Sequence, residues 1–376
     1  MNELPSASQP QPFAAPNPLS PPSLVPVALV AMVLEGGLFF TTGTLTQMIS
    51  VPVGMWFTEI AVFAAVPLLV LRASRFEPLP SAGVTGFSLP QLGFGLVVGV
   101  VNYFAVAIPL QWVSIQIFPK AWVKVFDASQ LFANLTGPEL WVTAAAVSFA
   151  APVCEEIAFR GLLNRALLER FKPWLAVLLG GAIFSAFHFD PIGLLARGAL
   201  GALFGWMAWR SGSIWAGVGA HAGNNATSMA LYLLSNDKSD DVGNAAQVGT
   251  SFVTAGLMLS VLLQLPRRFP SLLSSPRPAQ TVPAPARNLW RPIALWLFAF
   301  FVTVSGVLLL DPRGAELGRI DAGAQVRFDD PKDPDAERLN ALRAKVRRGE
   351  AEADEYRALR KEMAKKHPLL DLGQAK

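Results

Sequence analysis

Two adjacent glutamates and an arginine stand inside an otherwise apolar run, Ala151-Pro152-Val153-Cys154-Glu155-Glu156-Ile157-Ala158-Phe159-Arg160, and residues 140–150 before it carry no charge. A charged side chain at bilayer depth costs about 2.5–3.5 kcal/mol on insertion scales, so three together need a reason. On a helix, Glu156 and Arg160 are four residues apart with the acid first, the order that favours an ion pair. Glu155 points about 100° away from Glu156 and is less well placed to pair with Arg160. One glutamate is thereby neutralised, and the other stays available as a general base or acid.

Two of the three histidines lie on separate apolar segments downstream. Phe184 and His188 are one helical turn apart, which sets an aromatic wall beside the imidazole. His221 and Asn225 likewise share a helix face. A lone histidine in an apolar helix is often a packing residue; two of them, with a glutamate pair on a third helix, suggest a site. Such a set supports water-driven acyl transfer. Glu155 takes a proton from water, a histidine holds that water, and the Asn225 amide with a histidine N–H donates to a developing oxyanion. Glu155, His188 and His221 could equally ligate a zinc ion with an open fourth position. The common zinc-protease signature, two histidines four apart around a glutamate, is absent.

The elements that must carry these residues follow from composition. The chain has 376 residues, of which 52% are hydrophobic and 15% charged, with a mean hydropathy of +0.40. That places it among integral membrane proteins, all-α and polytopic. Nine apolar segments are legible: 24–48, 51–71, 92–113, 140–168, 174–189, 194–209, 214–234, 252–265 and 289–310. The sixth is short, so the expected count is eight or nine spans. Residues 1–22 read as a disordered Pro-rich lead-in, 23–310 as the membrane domain with its catalytic core at about 140–234, and 311–376 as a soluble charged tail with helical character. No basic patch with interleaved aromatics supports nucleic-acid binding. The single cysteine, Cys154, excludes an intrachain disulfide and reads as a packing residue.

Basic residues follow the second, fourth, sixth and eighth segments: Arg72 and Arg75, then Arg165, Arg170 and Lys172, then Arg210, then Arg267 and Arg268. The positive-inside rule makes that face cytoplasmic. Nine spans would put the tail outside and eight would put it inside. Glu35 and Glu59, embedded in the first two segments, read as cavity-facing or span-end acids. Asp190 and Arg197 read as interfacial, and Gly180, Gly181, Gly198, Gly201 and Gly205 as close helix-packing positions.

Glu155-Glu156-x-x-x-Arg160, Phe184-x-x-x-His188 and His221-x-x-x-Asn225, in this order on successive apolar helices, resemble the CAAX-protease and bacteriocin-processing (Abi) family of intramembrane endopeptidases. The resemblance covers about residues 140–234. It implies a helical membrane core with its site in a cavity between helices, and a membrane-associated or lipidated protein or peptide as substrate within the lipid bilayer. It also implies a bacterial origin and hence the inner, cytoplasmic membrane. In that family the first glutamate, here Glu155, activates water together with the histidine that is here His188. The pair that is here His221 and Asn225 stabilises the oxyanion, and Glu156 with Arg160 supports the site. A metal-free, glutamate-dependent mechanism is the favoured expectation, with no cofactor; zinc is the alternative. The rival readings are a proton-coupled transporter using the same buried groups and a non-catalytic membrane scaffold. No convincing internal repeat favours the transporter, and the complete set of four residues argues against a decayed site.

Overall fold

The computed structural model describes residues 23–132, 135, 137–234, 244–275, 277–285, 288–326, 328 and 333–368. The Pro-rich lead-in and the polar loop at 235–241 lie outside the described residues.

Every apolar segment forms a helix. They are α1 Val25–Ile49, α2 Val51–Ala73, α3 Leu89–Ile117 and α4 Pro138–Leu168, then α5 Pro173–Ala186, α6 Leu194–Ser211 and α7 Trp215–Leu234, then α8 Ala245–Arg268 and α9 Trp290–Leu310. Among the described residues pairing between extended segments is limited to isolated bridges, and the chain is an all-α bundle. By length and composition 6 helices among the described residues can cross a membrane, namely α1–α4, α8 and α9, against the eight or nine spans expected. The three that fall short have physical reasons. α5 has only 14 residues, and α6 and α7 carry arginine, histidine and asparagine that lower their hydropathy. Protein around those polar side chains replaces the lipid that a more apolar helix would face.

α4 is the most buried of the spanning helices and α9 the least, with no residue of α9 buried. The bundle is therefore built around α4, the helix of the glutamate pair. Prolines shape it and its neighbours. Pro67, Pro109 and Pro152 lack an N–H and clash with the carbonyl four residues back. That carbonyl falls each time within a widened π turn: Thr58–Ala64, Tyr103–Ala107 and Ala146–Ala150. The helices thus relieve the proline by slipping one residue in register rather than by breaking. A further π turn, Ile157–Leu163, follows the glutamate pair, so Glu155 and Glu156 sit between two widened turns of α4.

α3 and α7 run parallel at very close range. A Cβ on Gly99 would lie 1.9 Å from the Ala220 carbonyl oxygen, and one on Gly223 would lie 2.2 Å from that of Leu96. Only glycine permits this approach, as in small-residue membrane interfaces. It holds the His221 helix against the rest of the bundle.

Loop contacts define the two ends of the bundle. At one end Glu169, just past α4, caps α1 by accepting from the Leu24 N–H at 3.0 Å and from the Ser23 hydroxyl at 2.6 Å. Arg165 donates to the Ser81 carbonyl, and Glu77 N donates to the Val282 carbonyl at 2.8 Å. At the other end lies the tail, as helices α10 Pro312–Gly323, α11 Pro334–Arg348 and α12 Ala353–Lys366. Leu317, Ile320, Leu339, Val346, Tyr356, Leu359 and Met363 form its own small core. The Tyr356 hydroxyl donates to Asp321 at 2.6 Å, and Arg343 and Arg360 both pair with Asp321 at 3.0 Å. Arg347 ties the tail to the bundle through Glu139 at the start of α4, 2.8 Å away, and Asp311 at the end of α9, 2.7 Å away. Gly318 rests on the last carbonyls of α1, at Met48 and Ile49. The tail therefore stands at the end of the bundle opposite the arginine-bearing ends of α2, α4, α6 and α8. Lys366 bonds Asp335 on α11.

Candidate active site

Three helices bring the charged residues together. On α4 the expected pair forms: Arg160 Nη1 lies 2.8 Å from Glu156 Oε1, and both side chains are essentially inaccessible. From α7, His221 Nδ1 reaches the same oxygen at 3.2 Å. An ionised carboxylate accepts hydrogen bonds only, so His221 donates from Nδ1. Its other nitrogen, Nε2, lies 3.9 Å from Glu155 Oε2, too far for a direct hydrogen bond. From α6 the Gly201 carbonyl accepts from Arg160 Nη2 at 3.1 Å. Gly217 leaves room for the Glu156 carboxylate. A Cβ there would lie 2.6 Å from Glu156 Oε2.

Aromatic rings enclose this cluster. The Arg160 guanidinium lies 4.3 Å from the Phe184 ring centroid and 5.3 Å from that of Phe204, within the range of cation–π attraction. Phe184 stands edge-on to His221 at 5.7 Å, and Phe204 stacks on it at 5.0 Å with ring planes 23° apart.

His188 reaches the site from a turn just past α5. Its Nδ1 is 3.0 Å from the Phe184 carbonyl oxygen; a carbonyl only accepts, so Nδ1 carries the proton and neutral His188 keeps a bare Nε2. Its ring packs on Phe184 at 5.0 Å, which makes Phe184 the wall shared by the two histidines. Unlike His221, His188 is exposed at the bundle surface. The next residue, Phe189, has φ 49°, a left-handed conformation rare for an aromatic residue. Its ring is held by Phe40 of α1 at 4.3 Å. Asn225, half-buried on α7, donates one amide N–H to the Val147 carbonyl at 3.0 Å, and its second N–H remains.

Among the described residues, Glu155, His188 and His221 do not gather three ligand atoms within 4.8 Å of one another; that spacing occurs in the tail, at Asp333, Asp335 and His367. Both Nδ1 positions are committed, to Glu156 and to the Phe184 carbonyl, which leaves the two Nε2 atoms as the free ring nitrogens. Asp190 and Arg197, read as interfacial, pair at 2.5 Å beside the α5–α6 turn. Cys154 packs with Phe63, Phe159 and Phe184.

Residues 137–227 match the family described as Rce1-like, type II CAAX prenyl endopeptidase Rce1-like. That segment is similar to the CAAX prenyl endopeptidases. It spans α4 to α6 and most of α7, and so includes Glu155, Glu156, Arg160, Phe184, His188, His221 and Asn225. The CAAX-protease match leaves α1–α3, α8, α9 and the tail outside it. No curated protein and no solved structure matches the chain. Some residues at the site gave no sequence signal. Phe204 reads as one more aromatic in an apolar helix, and the Gly201 and Val147 carbonyls are backbone groups. Glu59 was visible only as an embedded acid. It is buried, with an oxygen that lacks a hydrogen-bond partner, on the turn of α2 that packs against the Glu155 turn, and the two carboxyl groups lie within electrostatic range.

Proposed function

We propose that this integral membrane protein is an endopeptidase that hydrolyses a peptide bond in a membrane-associated or lipidated protein or peptide, using Glu155 to activate water. The observation that carries the reading is the approach of Glu155 to His221 while Glu156 is tied to Arg160. Two atoms 3.9 Å apart can both touch one water molecule lying beside them. Glu155 takes a proton from that water as its oxygen attacks the scissile carbonyl carbon, and the carbonyl π pair moves onto oxygen. His188, with its bare Nε2, accepts the second water proton in a hydrogen bond. The second Asn225 N–H and a His221 N–H donate to the oxyanion. Donation from both His221 nitrogens means an imidazolium, and Glu156 and Glu155 flank that charge. Collapse of the tetrahedral intermediate expels the amine, which takes the proton from Glu155. No step passes through a metal.

The positive-inside rule puts the arginine-bearing end in the cytoplasm and the tail across the membrane, which in a bacterium is the inner membrane. The division into a membrane domain, 23–310, and a tail domain, 311–376, belongs to the same reading. It is supported by the separate small core of the tail. The test is membrane proteomics in the source cell, comparing wild type with Glu155→Ala. A defined set of membrane or lipidated proteins accumulating unprocessed supports the peptidase. An unchanged proteome, with Glu155→Ala expressed and folded, overturns it.

A further inference from the structure

His221 is asked to serve Glu156 with one nitrogen and to face Glu155 with the other. Such a ring must not turn. Rotation about its Cβ–Cγ bond would exchange the two edges of the imidazole and point carbon at one of the glutamates. Its edge-on contact with Phe184 at 88° restricts this from one side. The stacked contact is the stronger restraint, because a ring lying nearly parallel to Phe204 at 5.0 Å would have to drive an edge into the Phe204 face.

Phe204 is itself fixed. It is 1% exposed, and α4 donates to α6 immediately before and after it. Arg160 bonds the Gly201 carbonyl at 3.1 Å, and Asn164, one turn further on, bonds the Gly205 carbonyl at 3.3 Å. Both bonds are buried. The side chains that leave the catalytic helix thus pin the segment from which the stacking ring projects.

We propose that Phe204 is a positioning residue for His221, locking the imidazole plane so that Nδ1 meets Glu156 while Nε2 faces Glu155. The consequence for turnover rests on the peptidase reading above; the consequence for His221 does not. A misplacement of about 1 Å at a catalytic group can cost about 100-fold in rate, which is the scale of effect expected from a freed ring.

The chain has 3 histidines, so histidine labelled with ¹⁵N gives a spectrum simple enough to assign with His188→Gln and His367→Gln. In full-length detergent-solubilised protein, His221 should show one set of ring signals, shifted by the ring current of Phe204. Phe204→Leu keeps an apolar side chain of adequate size and removes the ring. It should split or broaden the His221 signals into two ring orientations, leaving His367 unchanged. Phe204→Tyr should restore the single set. In cells, Phe204→Leu should lower processing of the proteins that accumulate in Glu155→Ala by about 10- to 100-fold, with Phe204→Tyr near wild type. Unaltered His221 signals in Phe204→Leu overturn the proposal, and so do altered signals with full processing. If nothing accumulates in Glu155→Ala, the peptidase reading fails while the spectra still decide what Phe204 does to His221.

Discussion

Glu156 Oε1 is shared by Arg160 Nη1 at 2.8 Å and His221 Nδ1 at 3.2 Å. One carboxylate oxygen thus neutralises the buried cation of its own helix and fixes the proton position on a histidine of another. The ion pair legible in the helix spacing is half of an arrangement whose other half comes from a residue sixty-five positions away.

Glu156→Gln should therefore do two things. It leaves Arg160 buried without its paired carboxylate, a loss of about 3–5 kcal/mol, visible as a lower thermal unfolding midpoint in detergent. It also loosens the hold on the His221 ring, so processing in cells should fall together with stability. Glu156→Gln,Arg160→Leu should recover much of the stability without recovering processing. Full activity in that double variant would contradict the shared-oxygen account.

Gly217→Ala separates geometry from charge. The new methyl would lie 2.6 Å from Glu156 Oε2, so the carboxylate must move while no charged group is removed. Processing should drop by up to about 100-fold, with the protein still folded by circular dichroism and gel filtration. Wild-type processing would show that the carboxylate has slack.

Glu35 on α1 is fully buried and neither carboxyl oxygen has a hydrogen-bond partner. An unsatisfied buried polar group costs about 1–3 kcal/mol. Glu35→Leu should accordingly raise the unfolding midpoint and leave processing intact. A destabilised variant would mean that the acid has a partner in the membrane.

The tail should respond to acid. Asp335 is held below its usual value of 3.8 by the hydrogen bond from Lys366 first and by that from His367 second. A depressed carboxylate stabilises the fold above its unfolded value, and that contribution fades as pH falls through the folded value. The α11–α12 contact should hold at neutral pH and loosen below about pH 4. Hydrogen exchange of residues 334–366 in the full chain, corrected for intrinsic rates, reads this out, and Asp335→Asn should weaken the contact at neutral pH and flatten the acid response.

Sidedness has a direct assay, because the native Cys154 is buried. Glu350→Cys should react with a membrane-impermeant maleimide added outside intact spheroplasts, and Arg170→Cys only after lysis. The reverse pattern would invert the bundle in the membrane.

The sequence by itself determined the class of fold and the residues of interest. Apolar runs of spanning length have few structural options other than helices, since buried backbone groups must bond within the segment. Charged and imidazole side chains are costly there, so Glu155, Glu156, Arg160, His188 and His221 stood out by their expense. Helix periodicity also reached the Glu156–Arg160 pair, because partners four residues apart meet on one face. Tertiary structure decided everything that depended on which helices are neighbours. It set His221 against both glutamates and His188 just before the left-handed Phe189. It placed the Phe204 ring over the imidazole and the tail opposite the arginine-bearing ends. These contacts join residues tens to hundreds of positions apart through glycine-lined approaches and backbone carbonyls, and local spacing carries no record of either.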